Sequence, residues 1–265
     1  MPSGRQTLPR RAAIESILRR DRALVISALT AVVLMCWLWI IPMARDMYGP
    51  MNGPSAWMMT SRWDATHILL LFAMWTAMMV GMMLPSAAPT LLLYTNVVRK
   101  SVDGADARSQ VYAFAAGYIL VWTLFSVGAT FLQRLLGDLL LLSPMMELRS
   151  RIAGSVLFAV AGVYQLTPMK RSCLESCSSP AEFIVRHWRP GGLGALRMGV
   201  THGLLCLGCC WALMLLLFVG GVMNLIVIAT LTVFVLIEKI ASLGARWRTV
   251  SAVVLFAAAV WTIAR

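Results

Sequence analysis

Apolar residues in this chain come in long runs and not in alternation with polar ones. Seven stretches, at about 23–43, 66–94, 112–136, 152–167, 198–218, 225–240 and 247–263, are apolar for long enough to read as membrane helices. A transmembrane barrel needs short segments of alternating polarity, and neither 69–84 nor 205–222 alternates. The pattern predicts an all-α polytopic transmembrane helix bundle of about seven spans. Before the first run lies a basic segment, 1–22, with a short helical pattern around 12–20 suited to anionic headgroups. The remainder, 23–265, reads as a single transmembrane helical domain. Its longest polar connection, 168–197, carries two cysteines and the beginnings of a short surface helix near 180–188. Residues 51–63, with Trp57, Met58, Met59 and Trp63, read as either a re-entrant or a surface-lying segment.

Composition agrees with the runs: 60% of the 265 residues are hydrophobic and 13% are charged. That balance excludes a disordered chain and an ordinary water-soluble domain. The cleavage signature expected of a secretory signal is poor at 41–45, so the first span is read as uncleaved. The formal net charge of +12 would suggest a nucleic-acid surface in a soluble protein. Here its distribution gives another reading, because 17 of the 23 basic residues fall on one side of the seven-span drawing. The N-terminus is therefore placed in the cytoplasm, with loop 168–197 on the same side. The chain is expected to be a multi-pass protein of the cell inner membrane whose partner is the lipid bilayer. No nucleic-acid partner is expected.

Candidate chemistry gathers at the start of the fifth run, in HGLLCLGCCW at 202–211. At about 100° per residue, His202, Cys206 and Cys209 fall within roughly 60° of one helical face, and Cys210 stands at its edge. Imidazole and thiolate are soft or borderline donors suited to Cu(I) or Zn(II). In the second run Met74, Met78 and Met82 recur every four residues, with Met79 and Met83 in an adjacent row. Thioethers tilt the choice toward copper, although methionine also fills irregular packing space. Cys173 and Cys177, four residues apart, share a face if their segment is helical. The cysteines also admit redox or persulfide chemistry without metal, or structural packing. Glu238 and Lys239 read either as an ordinary span boundary or as support for a metal or proton path. Asp64 with His67 is a less specific second candidate, and His187 reads as a surface or interfacial residue. Neither a GxxxxGK phosphate cradle nor an HExxH zinc site is present.

Taken together, WTAMMVGMMLPSAAPTLLLY at 75–94, GYILVW at 117–122, YQLTPMKRSCLESCSSPAEF at 164–183, GLLCLGCCWALMLLLFVGGVMNL at 203–225 and EK at 238–239 resemble the DUF2182 family of predicted metal-binding integral membrane proteins. The resemblance implies a compact inner-membrane bundle with a metal function and supplies no catalytic residue map. The expected ligands are His202, Cys206, Cys209 and Cys210, with Cys173 and Cys177 receiving or relaying metal and Met78, Met79, Met82 and Met83 in second rank. That is too many soft donors for one four-coordinate site, so a relay, a cluster or partial participation is required. The expected function is Cu(I) binding and handling, or assembly support for a copper protein, with zinc as the alternative metal. A metal-dependent membrane oxidoreductase and a noncatalytic structural subunit of a larger membrane complex are the alternatives. Whether the chain is an enzyme stays open.

Overall fold

A computed structural model describes residues 7–47, 49, 64–101, 104–143, 146–240 and 244–264. Every named element is a helix: α1 (Thr7–Met47), α2 (Ala65–Ser101), α3 (Gly104–Asp138), α4 (Arg151–Leu166), α5 (Pro168–Ser178), α6 (Pro180–His187), α7 (Gly191–Met214), α8 (Leu217–Gly220), α9 (Leu225–Ile240) and α10 (Gly244–Ala264). The all-α expectation holds. Each of the seven apolar stretches is helical, but five spans are long and apolar enough to cross a membrane among the described residues, and six if the bent pair α4–α5 counts as one. The shortfall is one of length. α4 and α9 have 16 residues each, about 24 Å of helix against a hydrocarbon layer of about 30 Å. The 51–63 segment lies outside the described residues.

α1 runs unbroken from the basic segment into the first span, where the sequence suggested a separate interfacial helix. Neither glycine nor proline occurs between Arg10 and Ile41, so nothing interrupts the helix. α2 continues through Pro85 and Pro89, a tolerance that membrane helices show when neighbours satisfy the freed backbone groups.

Proline punctuates the polar connection. A residue before proline is driven to extended backbone, and Thr167 before Pro168 has φ −69° and ψ 147°. The chain therefore leaves α4 and starts α5 at a bend of 67°. Thr167 also caps the new helix, its hydroxyl accepting from the Lys170 amide at 3.3 Å. Pro180 opens α6 as its first residue, here without a side-chain cap from Ser179. Pro190 then precedes α7, whose first residue, Gly191, takes φ +78°. The short helix expected near 180–188 is α6.

α2 and the α7–α8 span are the central helices, with 56% of each apolar stretch buried against 11% for α1. α3 and α7 cross closely because three glycines leave room. A Cβ on Gly199 would lie 2.0 Å from the Phe114 carbonyl oxygen, and one on Gly117 would lie 2.3 Å from that of Leu196. Gly203 meets Val121 in the same seam. Small residues let membrane helices approach to backbone contact, and here that contact carries Tyr118 on α3 up to α7. The glycines of α4 face the C-terminal helix, Gly162 against Phe256 and Gly154 near Thr262.

Candidate metal centre

Cys206, Cys209 and Cys210 are buried on α7. The Cys209 and Cys210 thiols fold back along the helix and donate to the Cys206 carbonyl at 3.0 and 2.9 Å. Cys210 Sγ also lies 4.0 Å from Met83 Sδ on α2. This contact joins two soft donors separated by 127 positions in the chain. It shows that the later turn of the methionine row reaches the cysteine face.

α5 lies over the same face. Its cysteines stand four residues apart on a real helix, as their spacing requires for a shared side. Cys177 is buried and its thiol interacts with that of Cys209. Half-buried Cys173 rests on Gly208, where a Cβ would lie 2.8 Å from its sulfur. Tyr164 at the end of α4 donates to the Gly208 carbonyl. Glycine at 208 thus opens the gap through which Cys173 reaches α7.

The Cys206 sulfur has two further neighbours. Lys239 Nζ on α9 lies 2.7 Å away and also reaches Ser86 Oγ at 3.1 Å. The Tyr118 hydroxyl lies 3.0 Å from the sulfur and 2.9 Å from the Met83 carbonyl. One hydroxyl proton cannot serve both acceptors, so Tyr118 donates to a Cys206 thiolate, or donates to Met83 while a Cys206 thiol donates to it. Beside this group, Lys170 Nζ on α5 pairs with Glu238 Oε2 at 2.8 Å, both side chains 1% exposed. Glu238 and Lys239 are therefore interior groups, and the boundary reading of that pair does not hold. Lys170 and Lys239 also leave the set of surface charges that orients the chain in a bilayer.

The other expected ligands are placed less directly. His202 is 2% exposed and packs among Phe114, Tyr118 and Phe183, with ring centroids 6.0, 5.7 and 4.9 Å away. Among the described residues its Nδ1 finds no hydrogen-bond partner. Met78, Met79 and Met82 are buried in the same apolar cluster as the three α7 cysteines. Cys36 on α1 packs against Gly81 of α2, where a Cβ would lie 3.1 Å from that of Cys36. At the far end of that helix Asp64 acts as a cap, its carboxylate accepting from the His67 amide at 2.8 Å. His187 stacks on Phe183 at 4.8 Å.

Among the described residues, no three His, Cys, Asp or Glu side chains converge in an arrangement that holds a metal ion. The thiols that fold onto the Cys206 carbonyl would have to rotate off it to face a common ion. The donors nonetheless share one chemistry. They are thiols and a thioether, while the nearby carboxylate is engaged by Lys170. Such a set suits Cu(I) and offers little to hard cations.

Tyr118, Ser86, Lys170 and the interior position of Lys239 were not anticipated from the sequence. The adjacent Glu238–Lys239 charges in an apolar run were the available signal. Tyr118 had none, since its role depends on how closely α3 and α7 cross.

Residues 72–262 match the model of the PpoB2 copper chaperone family, and the chain belongs to that family. The matched region contains every stretch on which the resemblance to DUF2182 rests. Comparison with curated proteins and with solved structures finds no match.

Proposed function

We propose that this copper chaperone family member binds Cu(I) within the membrane on the cysteine face of α7 and passes it to a copper-requiring protein. The contact between Cys210 and Met83 carries the reading, because it brings a thiol and a thioether from separate helices together out of water. Rotation of the Cys209 and Cys210 side chains off the Cys206 carbonyl frees donors for an ion. Two or three sulfurs suffice for Cu(I), whereas a structural zinc site uses four ligands. Met79, Met82 and Met78 extend the thioether rows away from this point, and His202 stands one turn before Cys206.

Cys177 and Cys173 supply the path outward. Cys177 is buried in one cluster with Cys209, and Cys173 is the more accessible of the two. Copper then moves by exchange, one incoming sulfur binding before an outgoing sulfur leaves, so that no bare ion forms. With the bent pair α4–α5 counted as one span and the N-terminus in the cytoplasm, as the basic residues favour, α6 lies at the cytoplasmic side of the inner membrane. The recipient docks there.

X-ray absorption on protein loaded anaerobically with Cu(I) tests this reading. Two or three sulfur neighbours are expected, with the Cys206→Ala/Cys209→Ala/Cys210→Ala variant losing the bound ion. A shell dominated by nitrogen and oxygen would overturn it.

A further inference from the structure

Lys239 is a cation buried beside the sulfur that the preceding section assigns to copper. Its side chain enters from α9 and places Nζ 2.7 Å from Cys206 Sγ, with Ser86 Oγ as its other close partner. Among the described residues no carboxylate lies within ion-pair distance of it, because Glu238 faces Lys170. Ordinary packing would place an apolar side chain here. A buried ammonium without a carboxylate instead acts on whatever charge the sulfur cluster carries.

That action depends on the charge of the incoming ion. An ion held by Cys206 lies one metal–sulfur bond beyond the sulfur, within about 5 Å of Nζ at most. On any fixed set of sulfurs, exchanging Cu(I) for Zn(II) adds one positive charge at that point. The added charge is repelled by the ammonium. At an effective dielectric constant of about 20, one unit charge at about 5 Å disfavours the divalent ion by roughly a hundredfold. The thiolates bind both metals well, and the one thioether in contact favours Cu(I) by its softness, so discrimination by charge is the lysine's own addition.

We propose that Lys239 sets the charge selectivity of this site, admitting a singly charged soft cation and disfavouring a doubly charged one. The inference rests on the copper reading given above and adds the residue that would separate copper from zinc. It assigns Lys239 no contact with the metal. Its ammonium acts through space on the ion that Cys206 holds. Ser86 only holds the ammonium in place.

The test is competition on purified full-length protein under anaerobic reducing conditions. Cu(I) is set against Zn(II), and Ag(I) against Cd(II), with bound metal counted by mass spectrometry. Each pair has closed d shells and differs by one charge. In K239M, and in K239Q as a second neutral replacement, the preference for the monovalent ion is expected to fall by roughly a hundredfold in both pairs. K239R keeps the charge and is expected to stay near wild type, as is S86A. Folded K239M or K239Q protein with wild-type selectivity overturns the inference, and so does a K239R change as large as that of K239M. Wild-type protein that binds neither Cu(I) nor Ag(I) overturns the copper reading itself, and is thereby distinguished from failure of the lysine's role alone.

Discussion

Breaking the Lys170–Glu238 pair tests whether the cysteine-bearing helix is latched to the bundle. The pair joins the first turn of α5 to the last turn of α9 at 2.8 Å, with both side chains 1% exposed. Removing one member of a buried ion pair leaves the other charge unpaired and costs about 3–5 kcal/mol. Glu238→Gln strands the Lys170 ammonium. Lys170→Met strands a carboxylate whose Oε1 already lacks a hydrogen-bond partner among the described residues. The double variant Lys170→Met/Glu238→Leu buries no charge and is expected to lie within about 1 kcal/mol of the original stability, or above it. Thermal unfolding in detergent, followed by tryptophan fluorescence, measures the cycle. Maleimide labelling of Cys177, located by mass spectrometry, measures opening of α5. A loss of about 3 kcal/mol raises the open population about a hundredfold, and labelling of this 6% exposed thiol should rise with it. Single variants with the original melting temperature and labelling rate would refute the latch. So would a double variant as unstable as the worse single.

Gly199→Ala puts a Cβ 2.0 Å from the Phe114 carbonyl, a clash with backbone that only separation of α3 and α7 relieves. The expected loss is at least the 1–3 kcal/mol typical of overpacking, read as a lower melting temperature in detergent. Gly208→Ala acts more locally, driving the Cys173 sulfur from its seat. Cys173 labelling should accelerate in that variant while the Cu(I) bound at equilibrium changes little, and transfer to an external chelator should slow. Unchanged labelling of Cys173 would show that the seat at Gly208 does not govern its access.

The helical bundle was legible in the sequence because a bilayer demands long apolar runs, and such runs leave a plain trace. The number of complete spans was less legible. α4 and α9 are mostly apolar, but the bend at Thr167–Pro168 ends α4, and each has 16 residues among those described. At the cysteine face, helical periodicity placed Cys206, Cys209 and Cys210 together and put Met79 and Met83 in one row, and the 4.0 Å contact of Met83 with Cys210 shows that the row reaches the cysteines. What periodicity does not give is which helices touch. Tyr118 meets Cys206 only because Gly117, Gly199 and Gly203 permit a backbone-close crossing. Lys170 looked like one more loop cation until the bend folded α5 back onto the bundle and took its side chain out of water. His202 shares the cysteine face by angle, yet it packs one turn away among aromatic rings.

Metal quantification on anaerobically purified protein tests the central claim most directly. Membranes grown with ample copper would supply both the natural chain and the Cys206→Ala/Cys209→Ala/Cys210→Ala variant, each checked for folding by its melting transition. The account predicts about one copper per natural chain, which exceeds zinc, and loss of that copper from the folded variant. Natural protein without copper, or a folded variant that retains it, would contradict the assignment of these cysteines.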